Sequence, residues 1–343
     1  MANLTTTYAG IQLKNPIIVG ASNLVTEVHN LVSLEQAGAA AIVYKSLFEE
    51  QIKLESYQLE NTQQKYSNWD AEHETMFPEI THAGPAEHLL KLKKAKEALN
   101  IPLIGSLNCV HLDSWGEYAI KMAETGIDAL ELNFYAAEME FNTDPHLIEE
   151  HQIDTLNLVQ RSVKIPITVK LSPFYTNPLL LISEMDHCGV EAFVLFNRLF
   201  QPDIDIEKEE HHFPYNFSSE NDNRLALRYA GLLFGKIKGS ICSNTGILTG
   251  ADAIKMILAG ADAVQVVSAI YKKGINHITH MLKEIESWMD KKGYATINQF
   301  RGKLSKDKLN DPFVYKRAQY VDILMKSDLF VNYHPKDSEG YEE

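Results

Sequence analysis

The sequence predicts an α/β fold, a (β/α)8 TIM barrel with a long excursion between its second and third strands and helices after the eighth. Three observations lead there. Eight short, β-rich apolar runs alternate with segments of helical period, the pattern of parallel strands covered on both faces. Several helices close on one shared phrase, in which glycine precedes a small residue and the next strand. No run opens into the Gly-x-Gly-x-x-Gly turn of a doubly wound dinucleotide fold, so the eight units are read as one closed barrel.

Taken in order, strands are expected at Pro16–Ala21, Ala41–Lys45, Pro102–Ser106, Ala129–Asn133, Pro166–Lys170, Ala192–Phe196, Ser240–Asn244 and Ala263–Val267. The second, fourth, sixth and eighth are entered through Ala37-Gly38-Ala39, Thr125-Gly126-Ile127, Cys188-Gly189-Val190 and Ala259-Gly260-Ala261. Glycine at such a point ends the helix in the left-handed conformation without steric cost. The excursion Glu49–Pro85, with Tyr57, Tyr66, Trp69, Met76 and Phe77, is long enough to cover or shape the barrel mouth. A second excursion, Arg198–Arg224, carries the acidic run Asp203–Glu210 and then His211 and His212. Two histidines without a third ligand at metal spacing are read as a solvated loop, and no metal site is expected. Helical periods return at His277–Lys291 and Tyr315–Lys326, and Tyr333–Glu343 is a polar, acidic end. The expected division is a single barrel over 1–310, with a C-terminal helix and acidic tail over 311–343.

Composition narrows the function. With 45% hydrophobic and 23% charged residues in 343, the chain has a globular make-up and can bury a large core. Its formal charge of −14 disfavours nucleic acid as a partner, because such binding depends on Lys and Arg displacing counterions from phosphates. Cys109, Cys188 and Cys242 contain no close pair, so neither a short redox motif nor an iron–sulfur cluster is expected, and the compartment is read as reducing. The first ten residues show no secretory leader and no apolar run reaches membrane-spanning length, so a cytoplasmic protein without membrane contact is expected.

In a barrel of this kind the C-terminal ends of the strands form the active site. The residues there are Ala21 and Ser22, Lys45 and Ser46, Ser106 to Cys109, Asn133, Lys170, Asn197, Asn244 to Gly246, and Val267 with Ser268. A lysine at such a place commonly meets an anion or an electron-rich ligand, since burying an unpaired ammonium is costly; the plainer reading is a side chain reaching past the rim to solvent. Ser243-Asn244-Thr245-Gly246 leads into a helix opened by Thr249-Gly250-Ala251-Asp252, and Val267-Ser268-Ala269 follows the last strand. Backbone N–H groups backed by a helix N-terminus make a phosphate site, which a sugar phosphate, a flavin mononucleotide or a nucleotide would satisfy equally.

Residues 5–21, with Gly10 and Asn15-Pro16 leading into the first strand, resemble the opening of the class 1 dihydroorotate dehydrogenases. Further matches follow in order: Tyr44-Lys45-Ser46, Ile104-Gly105-Ser106, Leu130-Glu131-Leu132-Asn133, Val169-Lys170-Leu171-Ser172-Pro173, Asn197, and Leu258 through Val266. The resemblance runs from about residue 4 to about residue 290 and is collinear over six or more strand ends. It implies FMN as cofactor, dihydroorotate oxidation in pyrimidine biosynthesis as the nominal reaction, and a homodimer. It makes Ala21, Ser22, Lys45, Asn133, Lys170, Asn197, Thr245, Gly246, Val267 and Ser268 cofactor contacts, with Lys170 beside flavin N1 and O2. Asn108, Asn133 and Asn197 are the implied substrate contacts.

The chain departs from the family pattern at three places: the base after the fourth strand, the Asn-rich pyrimidine loop after the second strand, which is not recognisable in Glu49–Pro85, and Thr245-Gly246 where two glycines are usual. Where family members carry a Cys or Ser base after the fourth strand, this sequence reads Asn133-Phe134-Tyr135-Ala136-Ala137-Glu138, so the base position is Ala136, which moves no proton. Tyr135, Glu138 and Cys109 lie near enough in sequence to substitute, and Lys45 is a further candidate catalytic group; packing roles for Tyr135 and Cys109 stand beside those readings. Three functions therefore stay open. They are a flavin-dependent dehydrogenase of a dihydropyrimidine or similar ring, a flavin-binding protein without turnover, and a Schiff-base or phosphosugar lyase using Lys45 or Lys170.

Overall fold

The chain enters through a hairpin of β1 (Thr6–Tyr8) and β2 (Ile11–Leu13), turned at Ala9 and Gly10, both at positive φ. This hairpin was not among the expected strands. It precedes a barrel whose strands are β3 (Ile17–Val19), β4 (Ala41–Val43), β6 (Leu103–Asn108), β7 (Ala129–Asn133), β8 (Ile167–Leu171), β9 (Ala192–Leu195), β12 (Ser240–Ser243) and β13 (Ala263–Val266), with the short β5 (Leu47–Phe48) added beside β6. The eight are parallel in the order β4-β3-β13-β12-β9-β8-β7-β6, and β4 pairs with β6 to close the cylinder. The computed structural model describes residues 2–51, 85–135, 141–198, 202–212 and 217–317, together with 321 and 325.

Alternation along the strands separates two cores. Ile17, Val19, Ile42, Leu130, Leu132, Val169, Phe193, Val264 and Val266 face the surrounding helices, whereas Ile18, Ala41, Ile104, Ala129, Ala192, Val194, Cys242 and Ala263 form an inner cluster. Alanine at four inner positions leaves room for Tyr8 and Leu13 of the hairpin, both in that inner cluster. The hairpin is tied to the strand beginnings by Thr6 Oγ1 donating to the Asp262 carbonyl (2.9 Å) and Ala9 N–H donating to Ser240 Oγ (3.3 Å). It thus plugs the end opposite the strand C-termini.

The helices are capped as their sequences suggest. Pro145 and Pro178 open helices Pro145–Ser162 and Pro178–His187 behind Asp144 and Asn177, whose side chains accept from His146 N–H and Leu180 N–H. Gly38, Gly126, Gly189 and Gly260 all stand at positive φ where the sequence required helix ends.

Some expected boundaries move. Strand three runs on to Asn108, so Leu107 and Asn108 belong to the strand itself, while strand two stops at Val43 and resumes as β5. The acidic excursion is not wholly loop: β10 (Asp203–Asp205) and β11 (Glu210–His212) form an exposed hairpin, followed by helix Asn223–Leu233. Its alternating Asp-Ile-Asp strand and the turn with Glu209 at φ 55 account for the pairing. Helix 277–291 is present as His277–Lys292; the helix expected from Tyr315 starts later, since Tyr315 ends the 3-10 turn Phe313–Tyr315 and Lys316 is extended, while Val321 and Met325 are helical. Between Glu49 and Pro85, residues 49–51 are helical and Pro85 opens helix Pro85–Ala98; Tyr57, Tyr66, Trp69, Met76 and Phe77 lie outside the described residues, as does the end Tyr333–Glu343.

Candidate active site

The strand C-termini surround a cleft of about 170 Å³ lined by Ala21, Lys170, Asn197, Arg198, Ser218, Asn244, Thr245, Gly246, Ile247, Gln265, Val267 and Ser268. Its floor is polar. Lys170 is 8% exposed, and its Nζ lies 3.5 Å from Gln265 Oε1 and 4.0 Å from Glu131 Oε1. Gln265 Nε2 donates to Glu131 Oε2 at 2.6 Å, so one carboxamide bridges ammonium and carboxylate from three different strands. Above this layer Asn197 Nδ2 donates to Asn133 Oδ1, and Asn108 Nδ2 donates to the Asn133 carbonyl at 2.8 Å. The first bond orients the Asn133 carboxamide and the second ties Asn108 to the Asn133 backbone, so three side-chain amides gather at one rim.

Two loops form the far wall. Thr245 and Gly246 both take φ of 71°, the left-handed region, and Thr245 Oγ1 and Asn244 Nδ2 donate to the Phe196 carbonyl at 3.1 and 3.2 Å. Helix Gly250–Ala259 follows, opened by a capping box in which Asp252 accepts from Leu248 N–H, Thr249 N–H and Thr249 Oγ1. Asn223 Nδ2 ties this turn down by donating to the Gly246 carbonyl (3.0 Å) and Asp252 Oδ1 (3.3 Å). Opposite, Ser218 N–H donates to Ser268 Oγ at 3.0 Å and Lys272 Nζ donates to the Ser218 carbonyl at 2.8 Å, which straps residue 218 over the loop after β13. Arg198 pairs with Asp222 at 2.9 Å and lines this cleft and a neighbouring one of about 200 Å³ walled by Phe174, Phe196 and Leu225.

Not every sequence-derived candidate joins this cleft. Lys45 stands after β4, where its ammonium is among the charges that lower the pKa of buried His88. Cys109 lies at the end of β6 beside Glu49, whose carboxylate accepts from Val110 N–H (2.5 Å) and His111 N–H (2.8 Å) at the start of helix Leu112–Ala123. Burial, with Glu49 and Glu50 adding to it, pushes the Cys109 thiol far up, so it is protonated at neutral pH. Tyr135 is half-buried after β7; Ala136 and Glu138 lie outside the described residues. Ser22 Oγ is buried with no hydrogen-bond partner among the described residues. Sequence reasoning passed over Glu131 and Gln265 as site residues. Each is a polar residue at the inward parity of an otherwise apolar strand, and that pattern would have found them.

The donor set of these residues fits a ligand with an electron-rich ring and a phosphate, as FMN has. The cleft joins a buried ammonium and a carboxamide at one end to two turn-and-helix loops at the other, and Ser22 offers an unpartnered hydroxyl at the first strand end. Among the described residues no helix is long and apolar enough to cross a membrane.

Comparison with known proteins agrees with this geometry. A family model described as dihydroorotate dehydrogenase matches residues 76–289, more than half of the chain. A protein of Thermoplasma volcanium named dihydroorotate dehydrogenase B (NAD(+)), catalytic subunit, is 28% identical over 317 residues, covering 88% of this chain and 98% of that protein. Proteins of the same name from Thermoplasma acidophilum and Methanocaldococcus jannaschii are each 26% identical, over 311 and 313 residues, covering 88% and 87% of this chain and 99% and 97% of theirs. With a closed parallel barrel, a polar cleft at its strand ends and these matches along most of its length, the chain belongs to the dihydroorotate dehydrogenase family, oxidoreductases acting on the CH–CH group of their donor.

Proposed function

We propose that this protein is an FMN-dependent dehydrogenase of a dihydropyrimidine, with dihydroorotate to orotate as the nominal reaction of pyrimidine biosynthesis. The observation that carries the reading is Lys170, buried at the floor of a cleft whose other end is made of Thr245-Gly246 and Val267-Ser268. When bound, FMN supplies the acceptor for the hydride that leaves the saturated ring bond. The chain's own residues do the rest. Lys170 sets positive charge against the cofactor ring, with Ala21, Ser22 and Lys45 as further contacts. Thr245, Gly246, Val267 and Ser268 hold the phosphate. Asn108, Asn133 and Asn197 orient the substrate ring through their amides. The proton on the adjacent carbon needs an acceptor at the mouth; Lys45 and Tyr135 are the proposed groups, each able to act only after giving up its own proton, and burial that keeps the Cys109 thiol protonated speaks against Cys109.

The relatives are named as catalytic subunits of an NAD(+)-linked enzyme. By that analogy we propose that this chain passes electrons through a partner subunit, and from the family resemblance that it acts in the cytoplasm as a homodimer. We also propose that residues 1–310 are the FMN-binding barrel and 311–343 a C-terminal segment packed on it or extending from it; Lys306 N–H donating to the Gly231 carbonyl (2.9 Å) supports the return of the chain onto the barrel before that boundary.

Anaerobic titration with dihydroorotate, dihydrouracil and NADH, following the flavin spectrum, tests the reading. The purified protein is expected to be yellow and to bleach with one of these donors. Lys170→Ala is expected to lose FMN or to hold it at a lower reduction potential. A protein that stays colourless after FMN is added would refute the proposal.

A further inference from the structure

We infer that Glu131 is a positioning residue that balances and orients the Lys170 ammonium where it meets the ring of the bound flavin, an inference that rests on the FMN reading above. Glu131 is fully buried on β7, two residues below Asn133 and on the same face. Its Oε2 accepts from Gln265 Nε2 at 2.6 Å, its Oε1 has no hydrogen bond and faces Lys170 Nζ at 4.0 Å, and Gln265 Oε1 is 3.5 Å from the same ammonium. Gln265 therefore holds the two charges apart while touching both.

A carboxylate buried this completely costs several kcal/mol unless paired, and its register neighbours on the adjoining strands, Ser106 and Thr168, are buried hydroxyls that carry no charge. The groups next to it carry no competing charge: burial pushes Tyr8 and Cys242 well above their usual ranges, with Glu131 adding to both, so each is neutral. Among the described residues of this layer the charges are Glu131 and Lys170 alone. The cofactor edge thus meets an ammonium whose field is partly cancelled from below, and removing the carboxylate leaves that ammonium uncompensated.

The test uses the full chain loaded with FMN and equilibrated at pH 7 with a reference dye of known potential, reading the ratio of reduced to oxidised cofactor. Loss of one negative charge at this range raises that ratio about tenfold in Glu131→Gln, which for a two-electron couple is about 30 mV. Glu131→Asp, which keeps the charge, is expected within about twofold of wild type, and Lys170→Met moves the ratio the other way. An unchanged ratio in Glu131→Gln, or an equal change in Glu131→Asp, would overturn the inference, since a purely packing role does not distinguish charge. Should Glu131→Gln give no soluble protein, Glu131→Ala read against Glu131→Asp decides: a rise of about tenfold in Ala alone supports the inference, and an unchanged ratio in Ala or an equal change in both sinks it. A wild-type chain that takes up no FMN defeats the cofactor reading and this inference with it, whereas a yellow wild type with an unmoved Gln variant defeats the inference alone.

Discussion

His88 illustrates how one residue links the mouth of the barrel to stability. It is 8% exposed on helix Pro85–Ala98, its ring meets Tyr44 edge-on at 5.4 Å, and its Nε2 has no hydrogen-bond partner among the described residues. Burial, and then the charges of Lys45 and Lys91, lower its pKa from 6.5 to about 4. In that window the unfolded chain binds a proton at this site and the folded chain does not. Stability from His88 is therefore complete above pH 6.5 and is lost as pH falls toward about 4. The full loss is on the order of 3 kcal/mol. Urea midpoints at pH 7, 5.5 and 4.5 should fall more steeply for wild type than for His88→Gln; parallel slopes would contradict the assignment.

At the scale of the element, the turn from β12 into helix Gly250–Ala259 is fastened through one carboxylate. Asp252 accepts from the helix-opening N–H groups, from Thr249 Oγ1, from Asn223 Nδ2 and from Lys255 Nζ at 3.0 Å, so it joins the proposed phosphate loop to helix Asn223–Leu233. Burial alone would raise its pKa, but the bonds from Lys255, Thr249 and Leu248 outweigh that and hold it below the usual carboxylate range. Asp252→Ala is expected to destabilise the fold by about 2 kcal/mol through the lost cap and the orphaned donors. Gly246→Ala acts on the same turn differently. Its Cβ would stand 2.6 Å from Asn223 N and 2.7 Å from the Ser219 carbonyl, at a φ of 71° that alanine resists. We expect at least a tenfold loss in FMN affinity by fluorescence titration, in line with about 1–3 kcal/mol of strain, and wild-type affinity would argue against this turn as the phosphate site.

For the whole molecule, closure of the barrel by β4 against β6 means that no strand of the cylinder is left as an open edge. The return of the chain after helix His277–Lys292 adds further ties: Gly302 and Leu304 N–H donate to the Ile257 and Leu258 carbonyls, and Arg301 pairs with Asp262. A cofactor bound at the strand ends of such a unit should stabilise all of it. FMN at a hundredfold excess over its Kd is expected to add about 2.7 kcal/mol to unfolding, and riboflavin, which lacks the phosphate, less at the same concentration. Denaturant melts with both ligands check this, and equal effects would remove the phosphate loops from the proposed site.

Much of this architecture was legible in one dimension because period and punctuation are local properties. The eight apolar runs, the glycines at 38, 126, 189 and 260, and Thr249 with Asp252 as a capping pair are each set by the conformations a few neighbouring residues allow. The placement of Lys170, Asn197, Thr245, Gly246, Val267 and Ser268 at one mouth follows from strand-end position in a parallel barrel. What strand order alone could not reveal is which side chains meet across the cylinder. Glu131, Lys170 and Gln265 are up to 134 positions apart in the chain, and only closure brings them to one layer. The same holds for the strap of Ser218 over Ser268, for the hairpin at β1 and β2 that fills the inner core, and for Cys109, which burial keeps protonated with Glu49, some sixty residues earlier, adding to the effect. Hydrogen-bond geometry and burial are three-dimensional quantities, so the chemistry of a buried group is decided by neighbours that the order of residues does not reveal.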